Sequence, residues 1–229
     1  LSNVAIGTDA LGGATTADRS VAIGKGALGG ATTTGNDNIA IGKDAANALT
    51  SGANNIAIGT DALGANITTN GNVAVGYNAL LLNTAADNVA VGSAALDANT
   101  SGVRNTALGT SALSAIATTN DSTALGYNAL LLDTGGNNTA IGSRALDANS
   151  SGIQSVAIGV DALGVATTGN DNVAVGFQAL DATTTGSRNV ALGTDALGAN
   201  IRGADNVALG YQALLLNTEG HSNNAIGYL

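Results

Sequence analysis

Apolar and polar positions recur along this chain in one fixed order, with a period of about 17 residues. A four-residue box, x-Ala-[Ile/Val/Leu]-Gly, closes fourteen times, at Gly7, Gly24, Gly42, Gly59, Gly76, Gly92, Gly109, Gly126, Gly142, Gly159, Gly176, Gly193, Gly210 and Gly227. Successive boxes lie 16 to 18 residues apart. A period in this range is the signature of a stacked repeat, in which each unit covers the apolar face of its neighbour. The Val4-Ala5-Ile6-Gly7 segment alternates as a strand does, with Val4 and Ile6 on one face and Ala5 and Gly7 on the other. The larger, β-branched face is expected to fill the coil interior. The Ala/Gly face is expected to lie outside, where another backbone approaches closely.

Other columns repeat around the box. Four residues before each Gly stand eleven Asn and three Ser. The Asn are Asn3, Asn38, Asn55, Asn72, Asn88, Asn105, Asn138, Asn172, Asn189, Asn206 and Asn223. Stacked at one azimuth they predict a ladder whose amides bond to one another and to turn backbone. Three after the Gly every residue is Ala, and four after it twelve are Leu and one is Ala46. This Ala-Leu pair is expected to open a second, returning strand. A Gly-x-x-Asn stretch such as Gly52-Ala53-Asn54-Asn55 supplies a turn with positive φ. The pattern therefore predicts an all-β chain, a parallel β-solenoid or β-roll of about fourteen 17-residue coils, with residues 1–229 as one repeat domain. A second period lies above the first. Tyr77, Tyr127 and Phe177 follow the box Gly at intervals of 50, and Leu80–Leu82 is echoed by Leu130–Leu132, so three coils make a super-repeat.

Composition narrows the picture. Gly contributes 33 residues, aromatics are 2%, and Pro, Cys, Met and Trp are absent, so any core is thin. Yet 45% of residues are apolar, too many for a disordered chain. A thin core and a column of Ala together suggest further burial against another copy, and a homotrimer or other close oligomer is the expected assembly. The net charge of −9, with seven scattered Lys and Arg, argues against nucleic acid as a partner. No run of about 18 apolar residues is present to insert in a membrane. The sequence starts at Leu1 rather than Met and stops at Tyr228-Leu229 as a new coil opens, and so reads as an excerpt of a longer fibrous protein.

Candidate chemistry is sparse. Gly24-Lys25-Gly26-Ala27-Leu28-Gly29 fits G-x-G-x-x-G, but the repeat itself explains it and no helix is expected to follow. A single histidine, His221, excludes a His-paired nucleophile or a two-His metal site within this chain and reads as a solvated turn residue. Asp9, Asp44, Asp61, Asp161 and Asp195 recur two after the Gly. Their column is interrupted by Gly26, Asn78, Ala94 and Arg144, which favours turn residues over a Ca²⁺ ladder. Asn-x-Ser/Thr matches such as those at Asn66, Asn99 and Asn137 are expected by chance in a chain this rich in Asn and Thr. No catalytic, cofactor-binding or metal-binding residue is predicted, no cofactor is implied, and the chain reads as a non-enzyme. Tyr77, Tyr127 and Phe177 are expected to pack within the super-repeat, with a surface stripe as the alternative.

The boxes Asn3–Gly7 and Ser20-Val21-Ala22-Ile23-Gly24 resemble the head repeat of trimeric autotransporter adhesins of the YadA type. The fuller unit Gly76–Thr84 is similar to repeats of large bacterial surface proteins and phage tail fibres. The resemblance implies a left-handed parallel β-roll, trimeric and extracellular, on the outer face of a cell or virion, attaching to host surfaces or matrix. The coil here is longer than in those heads, and no neck, stalk or anchor is seen in this segment. The functional expectation is an adhesive or structural shaft or head. Two alternatives stand beside it: a phage tail-fibre shaft, and an ice-binding solenoid. The latter would use the Thr column eight after the Gly (Thr15, Thr32, Thr84 and Thr184 among nine), which Ile67, Ala117 and Ile201 interrupt.

Overall fold

A computed structural model of the chain describes residues 2–13, 16–30 and 32–228. Among them every regular element is a parallel β-strand of three residues, and the fold is a β-solenoid. The chain divides into two compact units, Leu1–Thr118 and Thr119–Leu229. The first unit contains β1 (Val4–Ile6), β2 (Val21–Ile23), β3 (Ile39–Ile41), β4 (Ile56–Ile58), β5 (Val73–Val75), β6 (Val89–Val91) and β7 (Thr106–Leu108). The second contains β8 (Thr123–Leu125), β9 (Thr139–Ile141), β10 (Val156–Ile158), β11 (Val173–Val175), β12 (Val190–Leu192), β13 (Val207–Leu209) and β14 (Asn224–Ile226).

Within each unit consecutive strands pair in parallel and in one register, so that Ala lies beside Ala. Ala40 pairs with Ala57 and Ala74 in the first unit, and Ala157 with Ala174 and Ala191 in the second. A constant register turns every sequence column into a spatial row. Coils of 16 or 18 residues keep this register because their length change falls between the Leu column and the next Asn, away from the strand.

Two expectations about the coil are corrected. First, each coil carries one strand, not two. The Ala-Leu pair belongs to two successive turns after the box Gly. In the coil that starts at Gly159, Ala162 N donates to Gly159 O, and in the next turn Gly164 N donates to Asp161 O at 3.2 Å. Asp61 and Leu63 lie at φ 55 and 56°, and the same pair of positive φ values recurs at Asp161 and Leu163. Positive φ at the third residue of a turn is the type II arrangement. An extended return strand is incompatible with it. The turns still pair from coil to coil: Leu63 N donates to Ala79 O at 2.9 Å, and Leu163 N to Ala179 O at 3.0 Å.

Second, the faces of the strand are reversed. The Ala column is the interior one: Ala40, Ala74, Ala157 and Ala191 have no exposed surface, and the Leu of the turns, among them Leu63, Leu80, Leu146 and Leu163, is equally buried. The β-branched flanks point outward. Val207, Leu209, Ile58 and Leu108 are all exposed. The reason is volume. The turn folds its Leu inward against the strand, and only a methyl group fits in the space left opposite. The close approach that removed the side chains is between one coil and the next in the same chain. A Cβ on Gly7 would lie 2.8 Å from the carbonyl carbon and oxygen of Gly24, and Gly7 itself sits at φ 126°.

Candidate functional site

The interior rows hold the stack together and the exterior rows are what a partner meets. Inside, the predicted Asn ladder takes a specific form. Each Oδ1 accepts the backbone N–H of the corresponding residue in the next coil: Asn55 N to Asn38 at 3.0 Å, Asn72 N to Asn55 at 3.0 Å, Asn88 N to Asn72 at 3.0 Å, and Asn105 N to Asn88 at 2.9 Å. In the second unit Asn189 N donates to Asn172 at 3.0 Å, Asn206 N to Asn189 at 3.1 Å, and Asn223 N to Asn206 at 2.9 Å. The amide Nδ2 groups donate to turn carbonyls, as Asn38 does to Gly52 and Asn138 to Gly152, at 2.8 and 2.7 Å. At the start of the stack Asn3 repeats this, donating to Ala17 O and accepting from Ser20 N. Amide-to-amide bonds supplement the pattern, for example Asn55 Nδ2 to Asn38 Oδ1 at 3.1 Å. These are buried polar groups whose bonds are satisfied along the stack, which fixes register as well as stability.

A second buried polar row, seven after the Gly, was not singled out by the sequence. It contains Asn66, Asn83, Asn99, Asn149 and Asn200, with Asp133 and Thr183 in the same row. Asn99 and Asn149 each accept from the backbone N–H three residues on, at Gly102 and Gly152, and donate back to that glycine's carbonyl. The row is hidden in sequence because apolar Leu49, Ile116 and Ala166 also occupy it.

Outside, the outward residues of the strands form a continuous aliphatic face within each unit. Thirteen of the fourteen outward residues of β1 to β7 are Val, Ile or Leu, the exception being Thr106. Val4, Ile6, Ile39, Ile58 and Leu108 of this face are exposed and its other aliphatic members partly so, a contiguous apolar surface of the kind that marks an interaction site.

The remaining surface columns have backbone explanations. The recurring Asp two after the Gly occupy a positive-φ position: Asp9, Asp44, Asp61, Asp161 and Asp195 lie at φ 54 to 58°. Asp and Asn tolerate that region better than other non-Gly residues. A third positive-φ position precedes the Asn ladder. In Gly52–Asn55 it is Asn54, at φ 59°, that takes it, not Gly52. Gly52 is required instead because a Cβ there would strike the Thr69 carbonyl. Arg and Asp in these rows pair between neighbouring coils. Arg19 bonds Asp37, Arg144 bonds Asp161 and Arg188 bonds Asp205, each with a closest approach of 2.7 Å. The Arg19 and Arg188 guanidiniums hold the carboxyls of Asp37 and Asp205 below the usual range. Such exposed pairs contribute little to stability, because solvent and salt screen them.

Among the described residues no group of three or more His, Cys, Asp or Glu is placed to hold a metal ion. Gly24–Gly29 forms strand end and turns like the same slots elsewhere, without a helix N-terminus to receive a phosphate. His221 is exposed, and its Nδ1 accepts from Ala204 N at 3.1 Å. Of the glycosylation matches, Asn66 and Asn99 are buried and Asn137 is exposed. Among the described residues no helix is long and apolar enough to cross a membrane.

The aromatic residues stand at the surface. Tyr77 is 58% exposed, Tyr127 54% and Phe177 48%, so packing inside the super-repeat does not account for them. Tyr211 and Tyr228, one coil apart, stack with ring centroids at 5.2 Å. The super-repeat is felt elsewhere: Leu81 lies over Gly64 and Leu215 over Gly198, where a Cβ would meet their Cδ1 at 3.1 Å. In the Thr row the hydroxyls turn toward the stack. Thr50 donates to Ile67 O at 2.9 Å, Thr84 to Thr100 O at 2.7 Å and Thr184 to Ile201 O at 3.3 Å. In the 18-residue coil it is Thr34, not Thr32, that makes this bond, to Thr50 O, and Thr15 lies outside the described residues. No protein-family model matches the chain, and no curated protein matches it.

Proposed function

We propose that the chain is a non-catalytic structural and adhesive fibre segment, a β-roll shaft or head at the outer surface of a cell or virion, assembled with copies of itself as a homotrimer. The observation that carries this reading is the aliphatic face of the strands. Outward Val, Ile or Leu, two on every strand of the first unit but β7, form a contiguous apolar surface of the kind that marks an interaction site. Burying it at about 25 cal/mol per Å² supplies the apolar contact that a thin Ala/Leu interior lacks. The subunit contact therefore passes from the Ala/Gly side, where the sequence placed it, to the Val/Ile side.

With that face covered, the turns remain outside, and there the aromatic residues Tyr77, Tyr127 and Phe177 offer repeated apolar contacts to a host surface or matrix. Repetition multiplies weak contacts into avidity. The resemblance of the boxes to YadA-type heads agrees with this assignment. A tail-fibre shaft would use the same segment in the same way. The ice-binding alternative is weakened by the Thr row, whose hydroxyls are engaged with the next coil.

The experiment pairs two variants. Ile158→Ser with Leu192→Ser is expected to reduce the solution mass toward one chain. Tyr77→Ala, Tyr127→Ala and Phe177→Ala together are expected to keep the mass and reduce adhesion of chain-coated particles to extracellular matrix. A mass unaffected by the first set would contradict the aliphatic face as the contact, and unchanged adhesion with the second would remove the aromatic stripe from the account.

A further inference from the structure

In the row that directly follows the box Gly, an aromatic residue is paired with a carboxamide: Tyr77 is followed by Asn78, Tyr127 by Asn128, Phe177 by Gln178 and Tyr211 by Gln212. Only Tyr228, followed by Leu229, departs from this. None of the nine coils without an aromatic carries Asn or Gln at that second position, and five of them carry Asp. Backbone geometry does not account for the pairing. The four amides lie at φ 54 to 55°, as the aspartates of that row do, and Asn, Asp and Gly are the residues this region favours. Gln has no such preference, yet it takes the place of Asn at two of the four positions. Phe177 likewise takes the place of Tyr, and Tyr211-Gln212 keeps the pairing outside the 50-residue phase. What survives these exchanges is a ring beside a carboxamide, not a phenol, a charge or a side-chain length.

Three of the four pairs are also unengaged. Tyr77, Tyr127 and Phe177 are exposed, and no second ring covers them: Thr60 and Ser93 flank Tyr77 in the row, and Val160 and Thr194 stand nearest Phe177. Among the described residues no hydrogen bond engages the side-chain amides of Asn78, Asn128 or Gln178, which are partly open to solvent. The fourth pair is the contrast. The Tyr211 ring stacks on Tyr228, and Gln212 Nε2 donates to Asp195 Oδ2 at 3.4 Å.

An open ring beside a free carboxamide suits a sugar. A pyranose presents an apolar C–H face, whose hydrogens lie well on the negative face of an aromatic ring, and edge hydroxyls that both donate and accept. A carboxamide supplies a donor and an acceptor together, whereas a carboxylate only accepts and a proline-rich strand, lacking N–H groups, would use only the donor. The net charge of −9 disfavours an anionic chain. We propose that these pairs bind a neutral polysaccharide, each ring stacking on one sugar unit while its carboxamide bonds that unit's hydroxyls; this rests on the adhesive role proposed for the turns and gives it a ligand class. In the second unit Tyr127 and Phe177 are three coils apart, about 14 Å at the spacing of neighbouring strands, so that one extended chain meets both and is held by avidity.

The test is binding of the full chain to an array of neutral hexose and N-acetylhexosamine oligosaccharides of graded length, beside sialylated and sulfated oligosaccharides and a collagen-like proline-rich peptide. The wild type is expected to hold the neutral glycans, more tightly as they lengthen, and to leave the anionic ones and the peptide. Tyr127→Ala with Phe177→Ala is expected to weaken that binding by about tenfold or more, and Asn128→Ala with Gln178→Ala, a residue the slot already accepts at Ala94, by about tenfold. Tyr127→Phe is expected to keep it, and all these variants to keep the solution mass of the wild type. Failure of the wild type to bind any neutral glycan would overturn the proposal, as would preference for the anionic glycans or the peptide, or neutral-glycan binding indifferent to both alanine pairs. A lower mass for the ring variant would overturn it too, because the rings would then belong to the subunit contact. The assembly and the ligand fail separately: a monomer that binds neutral glycans through these rings removes the homotrimer and keeps the glycan site, whereas adhesion to matrix protein without glycan binding removes the site and keeps the adhesive role.

Discussion

The two sides of one three-residue strand obey different rules. The inward side is Ala in every coil, fully buried in the interior coils, and opposed by Leu from the turns. The outward side drifts among Val, Ile, Leu, Thr and Asn and is half open to solvent. A position that admits one residue is limited by volume, because one methyl more or less changes contacts on every side. A position that admits any β-branched or aliphatic residue is limited only by apolar character and strand geometry. The difference teaches that the interior encodes the coil and the exterior encodes what the coil meets.

Substitutions can break this contrast, and the largest effect is expected inside. Leu146→Ala removes a buried turn side chain that has no room to be replaced, and is expected to lower stability by about 2–5 kcal/mol in denaturant unfolding. Ala157→Leu tests the same space from the other side. Overpacking against Leu146 and Leu163 is expected to cost about 1–3 kcal/mol, whereas the same residue one position on, at Ile158, is expected to be neutral. Asn172→Ala leaves the N–H of Asn189 and the carbonyl of Gly186 without their partners and is expected to cost about 1–3 kcal/mol, with faster amide exchange at Asn189. Arg188→Ala, on the exposed rim, is expected to leave unfolding almost unchanged, and the difference to shrink further at high salt.

The same contrast explains what was legible in the sequence. The period, the parallel register and the Asn ladder were readable, because a stacked fold repeats each requirement in a column. Which side faces in was not readable from alternation, since Val-Ala-Ile-Gly is apolar on both faces. The deciding residue was the Leu four after the Gly. In sequence the Ala-Leu pair looks like strand, and nothing in a Leu announces a φ near 52°. The recurring Asp and Asn two positions earlier were the available clue, since these residues favour positive φ, but they suggested turn residues without fixing the fold of the pair. The exposed aromatics were marked by their 50-residue spacing, while the second buried row was concealed by Leu49, Ile116 and Ala166.

The most direct measurement of the central claim is the solution mass of the unmodified chain by light scattering, against the 21.9 kDa of one copy. The account predicts about three chain masses, with the Val/Ile face protected from hydrogen exchange along the strands. A stable monomer, with that face open to solvent, would contradict it.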